Sequence, residues 1–240
     1  MKSSGPMHRV MSPLLRVERT LWPAVALLCA AFAVFELTNA DVAVQDRLYD
    51  FAAHRWLIDA HAPLPREVFY TGPKAALIAL GSALFVLALT PERWRWRGRF
   101  AEPARRHLWV ALLTLGGVPA AIGQVKAVTN VFSPSEIRRY GGDVRYVRVI
   151  EPFPAADRPA RAGRSFPAGH ASGGFALVAL SGLARTRRGQ IAGIVLGGVA
   201  GGAMGFYQMA KGAHYLSHTL VTALLVWIGF LLWRRVLRVI

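Results

Sequence analysis

Six apolar runs, each close to the length that crosses a lipid bilayer, constrain this chain more than any other feature. About 20 helical residues span the roughly 30 Å of membrane hydrocarbon, and a helix satisfies its own backbone hydrogen bonds there. The sequence therefore predicts an all-α fold, a polytopic membrane helix bundle forming one integral membrane domain over residues 1–240. The six predicted transmembrane helices cover residues 20–38, 71–90, 108–129, 169–184, 191–210 and 217–233.

The net charge of +16 is explained by the membrane topology and does not require nucleic-acid binding. Lys and Arg accumulate in the cytoplasmic loops of membrane proteins. With a cytoplasmic amino terminus, the cytoplasmic segments hold 16 of the 29 Lys and Arg residues, and Arg93–Arg99 is the densest patch. The charge pattern predicts that both termini are cytoplasmic and that the positive charges face lipid headgroups.

The first run admits a second interpretation, a signal peptide cleaved near Ala40. Its removal would leave five spans and place the basic carboxyl-terminal RRVLR segment outside, which the charge rule disfavours. We therefore expect the run to remain as the first span. It contains the single cysteine, Cys29, which allows neither an internal disulfide nor a cysteine metal site.

Two long segments are predicted to lie outside. Residues 39–70 mix apolar and acidic residues at roughly helical spacing, which predicts an outer interfacial helix ended by Pro63 and Pro65. Residues 130–168 are net basic, contrary to the orientation rule, so we expect their arginines to serve an anionic ligand. These arginines are Arg138, Arg139, Arg145, Arg148, Arg158, Arg161 and Arg164.

Glycine is concentrated in the fifth predicted span. Small residues allow helix backbones to approach closely inside membranes. The span is therefore expected to pack deeply among its neighbours through Gly197, Gly198, Gly201, Gly202 and Gly205.

Three polar clusters stand at the predicted outer ends of spans. The third span ends in GQVKAVTN, the fourth begins with PAGH, and the fifth ends in QMAKGAHYLSH. Because successive spans alternate in direction, all three clusters are expected at one depth on the outer face. Their polar residues are Lys126, His170, Gln208, Lys211, His214 and His218.

Such a set suits phosphate chemistry without a metal or another cofactor. A helix amino terminus binds anions, and Gly169 would let a phosphate approach that backbone. Lys126, Lys211 and a loop arginine such as Arg164 would neutralise phosphoryl charge. A neutral imidazole can attack phosphorus while a protonated one gives its proton to the leaving oxygen.

Two other interpretations remain open. Interfacial His, Tyr and Lys commonly anchor helices at the headgroup level. His214 and His218 are also four residues apart on one helical face, which would suit zinc, although no acid on the same helix lies near them.

These motifs resemble the type 2 phosphatidic acid phosphatases, membrane enzymes that share a histidine-nucleophile core with vanadium haloperoxidases. The family pattern is K-x6-R-P, then P-S-G-H, then S-R-x5-H-x3-D. The corresponding stretches here are KAVTNVFSP, PAGH and YQMAKGAHYLSH, and the resemblance covers roughly residues 70–235.

The resemblance implies a role for each matching residue. Lys126 would bind phosphate, and Gly169 would supply a backbone N–H to it. His170 would be the general acid and His214 the nucleophile. His218 occupies the position of the aspartate that orients the nucleophile, and a neutral His218 could accept a hydrogen bond from His214.

The chain departs from the family pattern at five positions. Two family arginines are replaced, and a serine hydroxyl of the second motif is lost. Lys211, one helical turn from Gln208, would restore a positive charge. Gln208 itself can still donate hydrogen bonds to phosphate. The departures are Ser133, Ala168, Tyr207, Gln208 and His218.

A site at the outer boundary suits a substrate whose tail stays in the bilayer, such as a prenyl diphosphate, a lipid A phosphate or a glycerolipid phosphate. We expect a lipid-phosphate phosphohydrolase in a bacterial inner membrane, with its active site facing the periplasm. No nucleic acid or obligatory protein partner is implied. The alternatives are a lipid-to-lipid phosphotransferase and a non-catalytic lipid-phosphate binding or transport protein.

Overall fold

The computed structural model describes residues 13–91 and 105–239, and it describes side chains from Thr20 onward within these ranges. The described chain is mostly helical, with one two-stranded hairpin. The basic patch Arg93–Arg99 lies outside the described residues. The helices are α1 (Pro13–Leu37), α2 (Ala40–Gln45), α3 (Pro63–Arg66), α4 (Gly72–Leu89), α5 (Arg105–Leu112), α6 (Val118–Val128), α7 (Gly169–Ala176), α8 (Arg187–Ala210) and α9 (Leu216–Val236).

Five helical stretches of the described chain are long and apolar enough to cross a membrane. Two of them contain one π-helical turn each, Glu67–Thr71 between α3 and α4 and Leu113–Gly117 between α5 and α6. The chain is an all-α, multi-pass membrane protein. The five stretches are Thr20–Leu37, Pro63–Leu89, Arg105–Val128, Arg187–Ala210 and Leu216–Val236.

The predicted span at 169–184 is shorter than expected. It consists of α7, with eight residues, and a 3-10 segment of six residues at Leu177–Gly182. At a rise of about 1.5–2 Å per residue, this length covers less than the hydrocarbon thickness. The described structure therefore supports five of the six predicted spans by length.

The short α7 is enclosed because α8 meets it through a stripe of glycines. A Cβ built at Gly174 of α7 would lie 2.7 Å from the Gly201 backbone of α8. Gly193 and Gly197 approach the 3-10 segment, and Gly205 faces Thr219 of α9 in the same way. The prediction of close packing holds for this stripe, whereas Gly198 and Gly202 have open space around them.

The predicted interfacial helix over residues 39–70 is wrong for most of its length. The helical part ends early, with α2 and a 3-10 turn at Asp46–Leu48. A hairpin follows, with strands β1 (Tyr49–Asp50) and β2 (Arg55–Trp56). The Asp50 carboxylate accepts hydrogen bonds from the two backbone N–H groups that make the turn, which favours the hairpin over a helix. Pro63 begins α3 rather than ending a helix, because proline suits the first helical turn.

The arginines of the outer loop are largely held by carboxylates. Arg139 makes two hydrogen bonds of 2.7 Å to Asp46. Arg138 binds Asp157, and Arg161 binds Glu136. Arg145 and Arg148 also lie within 4.0 Å of acids. These contacts give the loop arginines a role in fixing the outer layer, which differs from the expected role in ligand binding.

A buried acid of α2 is hydrogen-bonded to the start of α9. The Asp41 side chain accepts a 2.8 Å hydrogen bond from the Ser217 backbone N–H and is 5% exposed. Burial raises the pKa of Asp41 to about 6, although the hydrogen bond from Ser217 opposes the shift. This contact lies one residue before His218.

We expect Gly201→Ala to destabilise the bundle by about 1–3 kcal/mol, the usual cost of overpacking. The new methyl group would collide with the Phe175 ring and lie 2.6 Å from the Phe175 backbone nitrogen. Thermal unfolding in detergent measures the effect. Gly202→Ala, on the open side of the same helix, is the control. Equal unfolding temperatures for the two variants would contradict the packing assignment.

We expect the titration of Asp41 to make the protein less stable as the pH rises from about 4 to 6. Its folded pKa of about 6 exceeds the reference value of 3.8, so the folded state holds the proton more tightly. Asp41→Asn keeps an acceptor oxygen but cannot ionise, so its unfolding temperature should vary less over this window. Exposed Asp59→Asn is the control. An identical pH profile for wild type and Asp41→Asn would refute the expectation.

Candidate active site

Residues of the first two predicted polar clusters line one cavity. The cavity has a volume of about 510 Å³ and includes Lys126 at the end of α6 and Gly169 and His170 at the start of α7. A Cβ built at Gly169 would meet no atom within 4 Å, so the backbone of the first helical turn is open to a ligand. The helix terminus and the lysine can therefore approach the same anion.

The lower wall of this cavity is apolar. It lies between α4 on one side and the α5–α6 stretch on the other. The cavity thus combines a charged upper end with a hydrocarbon-lined lower part. The apolar lining includes Leu77, Ile78, Leu112, Leu115, Pro119 and Met204.

Two residues that the sequence reasoning missed complete the upper end. The Tyr70 ring lies against the His170 imidazole, with ring centroids 4.2 Å apart. Lys74 lines the cavity one helical turn further along. The sequence did contain a signal for them: Tyr70 and Lys74 are four residues apart, and so on one helical face, at the outer start of the second predicted span.

Lys211 is held over the faces of two tyrosine rings. Its ammonium nitrogen lies 4.8 Å from the Tyr207 ring centroid and 5.6 Å from that of Tyr70. Burial lowers the pKa of Lys211, and the charge of Arg66 adds to this effect. Lys211, Lys126 and Lys74 all act electrostatically on His170. Lys126 and Lys74 line the cavity together with His170, and Lys211 lies over the Tyr70 ring that contacts His170.

The third cluster contains two buried histidines in mutual contact. The Nδ1 atoms of His214 and His218 are 3.3 Å apart. The Oγ atom of Ser165 lies 3.1 Å from Nδ1 of His214 and 3.3 Å from Nδ1 of His218. Ser165, which the sequence reasoning also missed, comes five residues before His170 and belongs to the loop that enters α7.

Aromatic rings enclose this histidine pair. The Phe166 ring meets the His218 ring edge to face, with centroids 5.2 Å apart, and Tyr215 does the same from another side. His214 and His218 are 3% and 1% exposed. Their orientations are therefore fixed by packing as well as by hydrogen bonds.

His214 is suited to react as a neutral imidazole. Burial lowers its pKa well below the ordinary value, and His218, Lys126 and His170 lower it further through their charges. The lining of the 510 Å³ cavity includes Lys126, Gly169 and His170 but not His214. His214 is linked to the cavity by the charges of Lys126 and His170, which act on its imidazole.

The remaining candidates differ in position. Gln208 is buried, and its backbone carbonyl accepts hydrogen bonds from Ala213 and His214. Its Nε2 atom has no hydrogen-bond partner among the described residues. Arg164 is exposed, and within the described ranges it makes no hydrogen bond or ion pair. Gln208 therefore contacts the loop that carries His214, whereas Arg164 has no described contact with the candidate site.

The arrangement offers lysines and backbone N–H groups to an anion. It also holds a neutral imidazole, that of His214, and a second imidazole, that of His170. In the described part of the chain, no three His, Cys, Asp or Glu side chains converge as a metal site would require.

Comparison with known proteins identifies the family. A search of curated proteins and a search of solved structures found no match. The model of the PAP2 superfamily matches residues 107–239. This range is more than half of the chain, and it includes Lys126, His170, His214 and His218 as well as helices α7 to α9. The resemblance seen in the motifs is confirmed, and the chain belongs to the PAP2 superfamily, whose members are phosphatases.

Proposed function

We propose that this protein is a metal-independent lipid-phosphate or lipid-diphosphate phosphohydrolase that acts through a phosphohistidine at His214. The observation that carries the proposal is the cavity shared by Lys126, Gly169 and His170, because its apolar lower part continues directly from the charged end. A water-soluble phosphate would not need that lining. A lipid phosphate would use both parts.

The first half-reaction forms the covalent intermediate. The Nε2 atom of neutral His214 attacks phosphorus, an N–P bond forms, and the P–O bond to the lipid breaks. Protonated His170 gives its proton to the leaving lipid oxygen. The bound phosphate offsets the positive charges of Lys126, Lys211 and Lys74, which favours the protonated form of His170.

The second half-reaction returns the enzyme to its starting state. Neutral His170 takes a proton from water, and the water oxygen attacks phosphorus. The N–P bond breaks, phosphate leaves, and His214 regains its lone pair. Hydrolysis therefore needs only water and the two imidazoles as reacting groups.

The phosphate ligands follow from charge and position. Lys126 and the α7 amino terminus stand on one side of the cavity, and Lys74 stands on the helix opposite. Lys211 is held beside Tyr70, which contacts His170. We assign these three lysines to the phosphoryl charge, in place of the arginines that the family pattern has. Gln208 adds a buried donor next to the His214 backbone.

We place the site at the periplasmic face of a bacterial inner membrane. Support comes from basic residues at the opposite end of the bundle, where Arg106 of α5 donates a hydrogen bond to the backbone of Arg238 after α9. An excess of Arg marks the cytoplasmic side. The short α7 and its 3-10 segment run antiparallel along α8, from Gly174 beside Gly201 to Ser181 beside Gly193, and so connect the two ends of the bundle despite their length. Both termini are then cytoplasmic, and the substrate reaches the cavity from the outer leaflet.

Three lysines favour a substrate with more than one negative charge, so a prenyl diphosphate or lipid A phosphate is preferred over a simple glycerolipid phosphate. Transfer of the phosphoryl group to a second lipid would use the same first half-reaction with another acceptor. Binding without turnover is the remaining alternative, because two family arginines and one aspartate are replaced.

We expect His214→Ala to lower phosphate release from lipid phosphates by at least about 1,000-fold, because the nucleophile is lost. Purified wild type and variant are assayed on a panel of lipid phosphates, with and without a chelator. Exposed His61→Ala is the matched control and should retain activity. Release by His214→Ala at the wild-type rate would contradict the mechanism, and loss of wild-type activity with chelator would indicate a metal site instead.

Addition of an acceptor lipid to the same assay separates transfer from hydrolysis. A radiolabelled phosphoryl donor should label the wild type transiently and should not label His214→Ala. Labelled lipid product would establish the transferase alternative. Binding of lipid phosphate without labelling of the protein and without phosphate release would establish the non-catalytic alternative.

We expect Gly81→Leu to raise KM for long-chain lipid phosphates by about tenfold. Gly81 lines the apolar part of the cavity and has no atom within 4 Å of a built Cβ, so a leucine there would occupy space needed by a lipid tail. Activity on a short-chain, water-soluble phosphate should change much less. Gly198→Leu, at an open position of α8, is the control. An equal effect on both substrates would refute the tail assignment.

A further inference from the structure

The geometry points to Ser165 as the positioning residue that orients His214 and fixes its tautomer, in place of the family's aspartate. This inference rests on the proposed function, because it concerns the nucleophile of that reaction. It also assigns His218 a different role from the one predicted, since His218 would then share an acceptor with His214 rather than act as its acceptor.

The hydroxyl group of Ser165 has three partners. Ser165 Oγ lies 2.9 Å from the Ala213 carbonyl oxygen, 3.1 Å from Nδ1 of His214 and 3.3 Å from Nδ1 of His218. A serine hydroxyl has one proton to donate and two lone pairs that accept. If all three contacts are hydrogen bonds, one partner accepts the hydroxyl proton, and the other two each donate an N–H to the serine oxygen.

The Ala213 carbonyl oxygen is the partner that accepts the serine hydroxyl proton. A carbonyl oxygen can only accept, so its contact with Ser165 is a hydrogen bond only when the serine proton points toward Ala213. Both lone pairs of Oγ are then free for the imidazoles. Under this assignment His214 and His218 both donate through Nδ1–H, and every contact of the hydroxyl group is satisfied. Their Nδ1 atoms, 3.3 Å apart, then converge on Oγ as a shared acceptor and make no hydrogen bond to each other.

The consequence for His214 is chemical. A neutral imidazole carries one proton, so a proton on Nδ1 leaves the lone pair on Nε2. Nε2 is the atom that attacks phosphorus in the proposed mechanism. The opposite assignment, with the serine proton on Nδ1 of His214, would place the imidazole proton on Nε2 and block attack.

The hydroxyl group is held in place by its own backbone. The Ser165 N–H donates to the Val131 carbonyl at 2.8 Å, which ties the loop before α7 to the segment after α6. Ser165 is 4% exposed. Its side chain therefore meets His214 in a dry, fixed environment in which a neutral acceptor can orient the ring without a carboxylate.

The experiment measures the His214 tautomer and the activity of the same preparations. The protein is labelled with 15N-histidine and purified in detergent micelles, and His214→Ala identifies the His214 signals. We expect the wild type to show a protonated Nδ1 and an unprotonated Nε2 on His214. A dominant Nε2–H tautomer in the wild type would overturn the inference, whatever the activity.

Ser165→Ala supplies the second measurement. We expect kcat to fall about 10- to 100-fold with little change in KM, and the Nδ1–H tautomer of His214 to lose its dominance. Buried Ser181→Ala in the 3-10 segment is the matched control and should leave both readouts unchanged. Unaltered kcat and tautomer in Ser165→Ala would overturn the inference.

A double variant tests the acceptor role directly. Ser165→Ala combined with His218→Asp returns a carboxylate to the family's position, and we expect it to recover at least part of the lost kcat. If Ser165→Ala fails to fold, the His218 signals of the wild type decide the question. A protonated Nδ1 on both histidines supports Ser165 as their shared acceptor, and an unprotonated Nδ1 on His218 would overturn the inference. If the wild type releases no phosphate from any lipid, the proposed function fails, while the tautomer measurement still tests the contact between Ser165 and His214.

Discussion

The close contact between α7 and α8 is the constraint on which the rest of the structure depends. Backbone meets backbone at Gly174 and Gly201, so no side chain separates the two helices. The short α7 is buried as a result, and its amino terminus, with His170, is held at a fixed depth beside the end of α8. The contact therefore sets the depth of His170 relative to α8, while hydrogen bonds of Ser165 and Ala168 join the loop before α7 to Ala213 and to α9.

The outer layer fixes the other half of the site by different means. There, hydrogen bonds and ion pairs replace helix packing: Arg139 holds Asp46, and Asp41 binds the start of α9. Near the histidines, Trp56 of the hairpin packs so closely on Gly212 that a side chain at that glycine would collide with it. The φ angle of +75° at Gly212 also favours glycine. The loop of His214 is thus shaped by both the backbone and the layer above it.

The chemistry of the site follows from these two supports. In our proposal, lysines near the ends of three helical elements take the place of the family arginines, because the phosphate needs charge more than a bidentate fork. The orienting carboxylate is likewise replaced, in our proposal, by the hydroxyl of Ser165. Both replacements depend on burial, since a neutral hydrogen bond and a single ammonium act more strongly away from water.

The sequence by itself determined the all-α membrane class, the positions of five spans, the family and the three polar clusters, because apolar run length and motif spacing are local properties. It misjudged residues 39–70 and the length of the fourth run, since both depend on what packs against them. Only the tertiary structure brought Tyr70, Lys74 and Ser165 to the histidines. These residues are distant from His214 in the chain, and no local pattern records the contact of a serine hydroxyl with a histidine about fifty residues away.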